Sequence, residues 1–155
     1  MIILHLTRYY GSPNITKSRL TIENDQTGMV LFDGEARECR FYNYSKNEKV
    51  IGSSLGCLGT GEYQLTTTST SGNPVCLRTT REPTRRGFII YVNTDPKRQC
   101  SVKKLSIGYG TSSEPKYRKL TDLEKAKEDF TKIIYDNYLE EFRLIVKNEI
   151  ISQGE

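Results

Sequence analysis

Four cysteines, one histidine and a short arginine-rich run carry the reactive or anion-binding side chains of this 155-residue chain. The cysteines are Cys39, Cys57, Cys76 and Cys100, and no two stand close enough for a Cys-x-x-Cys pair. The spacing of a zinc site or of a thioredoxin-like dithiol is therefore missing. They read as free thiols in a reducing compartment, with disulfides left open by the even count. His5 is the single imidazole, and Asp95, Asp122, Glu124 and Asp129 are scattered, so neither a metal nor a cofactor is expected. The stretch Arg78-Thr-Thr-Arg81-Glu-Pro-Thr-Arg85-Arg86 concentrates positive charge. It reads as a solvated loop or, functionally, as a contact surface for phosphate or another anion. No glycine loop matches a phosphate cradle: Gly52-Ser-Ser-Leu-Gly56 lacks the Lys-Ser/Thr ending. Gly108-Tyr-Gly110 reads as a turn.

The frame that must position these groups is one domain over 1–150 with a frayed tail over 151–155. Ten Tyr and five Phe supply core area to a chain that is 35% apolar. Basic residues number 23 and acidic ones 19, a net +4 with the signs mixed, which is less basic and less clustered than a nucleic-acid binder of this size. Met-Ile-Ile-Leu-His-Leu is too short for a signal h-region, and no apolar run approaches a membrane span. No membrane contact is expected, and the chain reads as cytoplasmic in a bacterial or phage-infected cell, or as part of a virion.

Ile2, Leu4 and Leu6 alternate with Ile3, His5 and Thr7, which predicts a strand. Leu20-Thr-Ile22 and Met29-Val-Leu-Phe32 predict a hairpin around Asn24–Gly28. Residues 35–55 read as an exposed excursion. Glu62–Thr68 and Val75–Leu77 predict strands. Phe88–Val92 predicts a strand buried on both faces. A helix is predicted over 121–139. Thr121 and Glu124 form a capping-box pattern, and Leu123, Ala126, Phe130, Ile133, Ile134 and Tyr138 form its apolar stripe. Phe142–Val146 returns as a last strand. The fold class is α+β: a mostly antiparallel, partly barrel-like β domain with one C-terminal amphipathic helix followed by that strand.

Several pieces come in a familiar order: Leu6-Thr-Arg8-Tyr-Tyr10, Leu20-Thr-Ile22, Glu35, Cys57-Leu-Gly-Thr-Gly-Glu-Tyr63, Arg86-Gly-Phe-Ile-Ile-Tyr91, Asn93, Cys100 and Ile145-Val-Lys-Asn148. The chain resembles a small domain-of-unknown-function family of bacteriophages and Bacteroidetes. Its members read Leu-x-Arg, Thr-x-Gly-x-Leu, Cys-Ile-Pro-x-Gly-x-Tyr, Ile-His-x-Gly-Asn and Gly-Cys-Ile. In that family the His and the Gly-Cys-Ile are similar to the His and Cys of peptidoglycan L,D-transpeptidases. There, a thiolate attacks a carbonyl carbon while an imidazole carries the thiol proton.

The resemblance implies Cys100 as the nucleophile position. It also puts Tyr91 where the family has His, Gln99 before the cysteine, Ser101 after it, and Gly59 in place of the Pro. A phenol with a pKa near 10 is a poor general base. His5 is the alternative proton carrier if the first strand lies beside Cys100. The expected function is a non-catalytic binding or structural protein of a phage or mobile element on a degenerate cell-wall-enzyme-like fold. Arg78, Arg81, Arg85, Arg86, Lys97 and Arg98 would form a basic rim, with Tyr91, Asn93 and Tyr109 as further ligand contacts. The partner would be an acidic ligand or protein, with nucleotide or nucleic acid included. Self-association through exposed strand aromatics is a further expectation. The alternatives are a cysteine-dependent transpeptidase-like enzyme acting on stem peptides, and a nucleotide- or nucleic-acid-binding module.

Overall fold

The computed structural model describes residues 1–12, 14–39, 58–70, 72–80, 87–98 and 104–153, with side chains as far as 149. Among the described residues nine strands and one α-helix follow in order: β1 Ile2–Gly11, β2 Thr16–Asn24, β3 Val30–Glu38, β4 Gly61–Thr70, β5 Asn73–Thr79, β6 Ile89–Tyr91, β7 Lys104–Gly110, β8 Leu120–Thr121, α1 Leu123–Asp136 and β9 Phe142–Gln153. Pairing runs β3-β2-β1-β9-β4-β5-β6-β7, and β7 then pairs back onto β3 to close an eight-stranded barrel. The sheet is mixed, with β1/β9 and β6/β7 parallel and the other barrel pairs antiparallel. The α+β, partly barrel-like expectation holds, and the barrel is in fact fully closed.

The alternation in β1 is a lining pattern. Ile2, Leu4 and Leu6 are wholly buried, and their register partners Leu20 and Ile22 on β2 and Leu144 and Val146 on β9 join the same core. The turn after β2 is built by Asn24, whose Oδ1 accepts the N–H groups of Gln26 and Thr27, and Gly28 closes it at φ 71. Helix α1 lies across the end where β3 and β5 begin and β7 finishes. It packs Ala126, Phe130, Ile133 and Ile134 into the barrel core.

The seam between β3 and β7 depends on glycines. A Cβ on Gly34 would sit 2.5 Å from the carbonyl oxygen of Gly108, and one on Gly110 would sit 2.3 Å from Glu35 Cγ. Gly108 and Gly110 are thus strand residues that admit close approach, not the turn expected from their spacing.

Four other expectations are corrected. Residues 35–39 are the buried end of β3 and the residue after it, not an exposed excursion, because Glu38 and Arg37 find partners inside the structure; 40–55 lie outside the described residues. The helix N-cap is Asp122 in the left-handed region, at φ 52 and without a side-chain cap, so Thr121 forms no capping box. The helix ends at Asp136, where Asn137 donates both its backbone N–H to Ile134 and its side-chain amide to Ile133, leaving Tyr138 exposed. Finally, β9 continues past 150, and Ser152 and Gln153 pair with Tyr10 and Gly11. Among the described residues no helix is long and apolar enough to cross a membrane.

Candidate functional site

Charge is concentrated at the barrel end opposite α1. A β-bulge between Arg8 and Tyr10 interrupts β1 there. Arg8 lies in phase with Leu4 and Leu6, so its guanidinium enters the barrel. Nε and Nη2 donate to Glu38 Oε1 and Oε2 at 3.0 and 2.9 Å, and Nη1 donates to Asn148 Oδ1 at 3.1 Å. Nη2 also donates to the carbonyl of Leu58. Glu38 Oε2 in turn accepts the Leu58 N–H at 2.9 Å. Arg8 is 0% and Glu38 1% exposed. Arg8 of β1, Glu38 of β3, Asn148 of β9 and the backbone of Leu58 therefore meet at this one ion pair.

A second layer covers the outer face of the same strands. Glu35 Oε1 accepts the Tyr9 hydroxyl and Arg37 Nη1, the latter at 2.9 Å. Burial, only partly offset by the Arg37 charge, pushes the Tyr9 phenol up to about 12. Lys17 Nζ donates to the carbonyls of Pro115, Lys116 and Arg118, which fastens the 3-10 turn Pro115–Tyr117 to β2. Burial and the neighbouring Arg37 hold the Lys17 pKa below its usual value. Arg118 stacks on the Tyr9 ring at 4.8 Å. Beside this layer lies a polar pocket of about 420 Å³, where Arg19 holds Asp33 through two hydrogen bonds of 3.1 and 2.8 Å.

The proposed ligand residues divide. Tyr91, Asn93 and Arg98 come together: Asn93 Nδ2 reaches the Tyr91 hydroxyl at 3.3 Å and the Arg98 carbonyl at 2.6 Å. The Tyr91 ring is buried, with Lys104 Nζ 5.4 Å from its centroid. Arg98 projects into solvent with a loose partner in Asp95. Arg78 is half-buried on β5, opposite Ile89. Tyr109 stands apart: it stacks on Phe32 at 4.8 Å and donates its hydroxyl to Asp129 on α1. His5 faces the outside of β1, with Nε2 2.8 Å from Glu23. Cys57, Cys100, Arg81, Arg85 and Arg86 lie outside the described residues. No group of three or more potential metal ligands occurs among the described residues.

Another open concavity is at the α1 end. Thr67, Thr68 and Ser69 of β4, Pro74 and Val75 of β5, and Ile134, Tyr135 and Tyr138 line a groove of about 540 Å³. Among the described residues the exposed large apolar side chains are Met29, Val30, Tyr117, Tyr135, Tyr138 and Leu139, so no described strand aromatic offers the self-association face expected from the sequence. Sequence reading missed both ends. An Arg in phase with Leu4 and Leu6 was the available signal for the first, and a Tyr135 off the apolar stripe for the second. Comparison with family models, curated proteins and solved structures finds no match to this chain.

Proposed function

We propose that this chain is a non-catalytic binding domain of a phage or mobile element, carried on a framework similar to that of a cell-wall enzyme. The observation that carries the reading is how the buried charges are used. Arg8 and Glu38 hold β1, β3, β9 and Leu58, three residues ahead of β4, together. Glu35 is engaged by Tyr9 and Arg37, and His5 by Glu23. A general base must reach the proton it takes; Arg8 and Glu38 are sealed in the interior, Glu35 is directed at Tyr9 and Arg37, and His5 lies on the outer face of β1 beside Glu23. Tyr91, at the family's His position, is a packed strand aromatic.

The test is calorimetry with mononucleotides, short oligonucleotides and muropeptides, run beside mass-spectrometric analysis of muropeptides incubated with the wild type and with Cys100→Ser. Binding without turnover is expected. Turnover that Cys100→Ser abolishes overturns the reading in favour of the cysteine-dependent enzyme. So does a chain that binds none of these and stays monomeric and partnerless in lysate.

A further inference from the structure

We infer that the groove between the β4–β5 hairpin and the C-terminal end of α1 binds a neutral saccharide. The inference rests on the reading of the chain as a binding domain and names a site and a ligand class for it.

Two tyrosines three residues apart face the groove, Tyr135 at 57% and Tyr138 at 67% exposure. Among the described residues only one other ring, Tyr117, is as exposed. Across from them, Thr67, Thr68 and Ser69 of β4 line the groove, and strand alternation puts the Thr67 and Ser69 hydroxyls on one face with Thr68 between them on the other. None of these five hydroxyl groups has a hydrogen-bond partner among the described residues. Ile134 supplies an apolar floor. No charged side chain lines the groove, although charged residues make up 27% of the chain.

These features select among ligands. A nucleotide or acidic peptide needs cationic partners, and the groove has none. A purely apolar peptide segment would bury hydroxyls without partners, at a cost for each. A sugar ring satisfies both walls. Its C–H face, polarised by the ring oxygens, meets the electron-rich face of a tyrosine. Its hydroxyls exchange hydrogen bonds with Thr, Ser and Tyr hydroxyls, each of which both donates and accepts. The volume lies within the range of about 300–1,000 Å³ typical of small-ligand sites.

The test is a titration of the ¹⁵N-labelled full chain with neutral tetrasaccharides of N-acetylglucosamine, of β-linked glucose and of α-linked glucose, followed by amide shifts. At least one is expected to move the amides of 67–69, 75 and 134–138. Tyr135→Ala and Tyr138→Ala are each expected to weaken binding roughly tenfold, the loss of one stacked ring. Both rings are exposed, so thermal unfolding is expected to be unchanged, and Thr68→Val serves as a second, non-aromatic probe. Absence of shifts at millimolar saccharide, or binding indifferent to both tyrosine variants, overturns the inference. If nucleotides or muropeptides bind elsewhere while the tetrasaccharides do not, the inference falls and the binding-domain reading stands. If Cys100-dependent turnover is found, that reading falls whatever the groove does. Sedimentation showing a dimer lost in Tyr138→Ala would assign the groove to a second copy of the chain instead.

Discussion

Arg8 and Glu38, thirty residues apart in sequence, meet in a two-pronged ion pair from which water is excluded on both sides. The pair also holds the N–H and the carbonyl of Leu58, so the chain leaving β3 and the chain approaching β4 are fastened to β1 at one point. A desolvated pair of this kind is costly to break from one side only, because the remaining charge stays buried.

Arg8→Met is accordingly expected to lower stability by about 3–5 kcal/mol, and Glu38→Met by a similar amount. The double replacement is expected to cost much less than the sum, since no orphan charge remains. Urea unfolding of the four members of this cycle measures the coupling. Additive effects would show that the two residues act independently.

The barrel seam makes a sharper geometric demand. Gly34→Ala places a methyl group 2.5 Å from the Gly108 carbonyl oxygen, a backbone atom that cannot swing aside. A loss of at least about 2 kcal/mol is expected from such overpacking. Gly28→Ala meets no atom within 4 Å and is strained only by its φ of 71, so a loss of about 1 kcal/mol is expected. Equal losses at the two positions would mean that the seam is not tightly closed.

Alkaline pH offers a third measurement. Burial raises the phenols of Tyr9 and Tyr63 to about 12 each. In the unfolded chain they lose their protons near 10. Between these values the folded state binds more protons than the unfolded one, so stability falls as pH rises. The stabilisation is fully present below pH 10 and is lost between about 10 and 12. Tyr9→Phe and Tyr63→Phe should each flatten this decline, read from unfolding midpoints at successive pH values.

Acid works through Asp129. The Tyr109 hydroxyl, and beyond it Lys125, hold this carboxyl below the usual carboxylate value. Its contribution is present above the unfolded value and disappears as pH falls through the folded one. Asp129→Asn should therefore lower stability at pH 6 and bring the variant and wild type together near pH 2. A constant gap across that range would show that the carboxylate charge is not what Tyr109 recognises.

Cys76 gives a reactivity prediction. It is fully buried, and burial raises its thiol. Alkylation resolved by peptide mapping should leave it unmodified in the native chain and label it on unfolding, because only an exposed thiolate is a nucleophile. Rapid labelling under native conditions would place it in a segment that opens locally.

The sequence by itself determined the local elements. Ile2, Leu4 and Leu6 could serve only as one face of a strand, and Ala126, Phe130, Ile133 and Ile134 only as one face of a helix, because side-chain spacing is a local property of the backbone. It also marked Asn24–Gly28 as a turn, since Asn and Gly meet the needs of a turn without outside help. What closes the barrel was decided only in three dimensions. Gly34, Gly108 and Gly110 look like turn formers until β3 and β7 are side by side. Their pairing joins residues some seventy positions apart, for which no local pattern exists. Arg8 and Glu38 look like ordinary surface charges for the same reason: their burial depends on each finding the other. Likewise Tyr138 fits the helical stripe, yet Asn137 ends the helix first and turns that ring outward, to the groove it shares with Thr67 and Thr68. Periodicity shows which face a residue occupies, but only tertiary packing shows what that face meets.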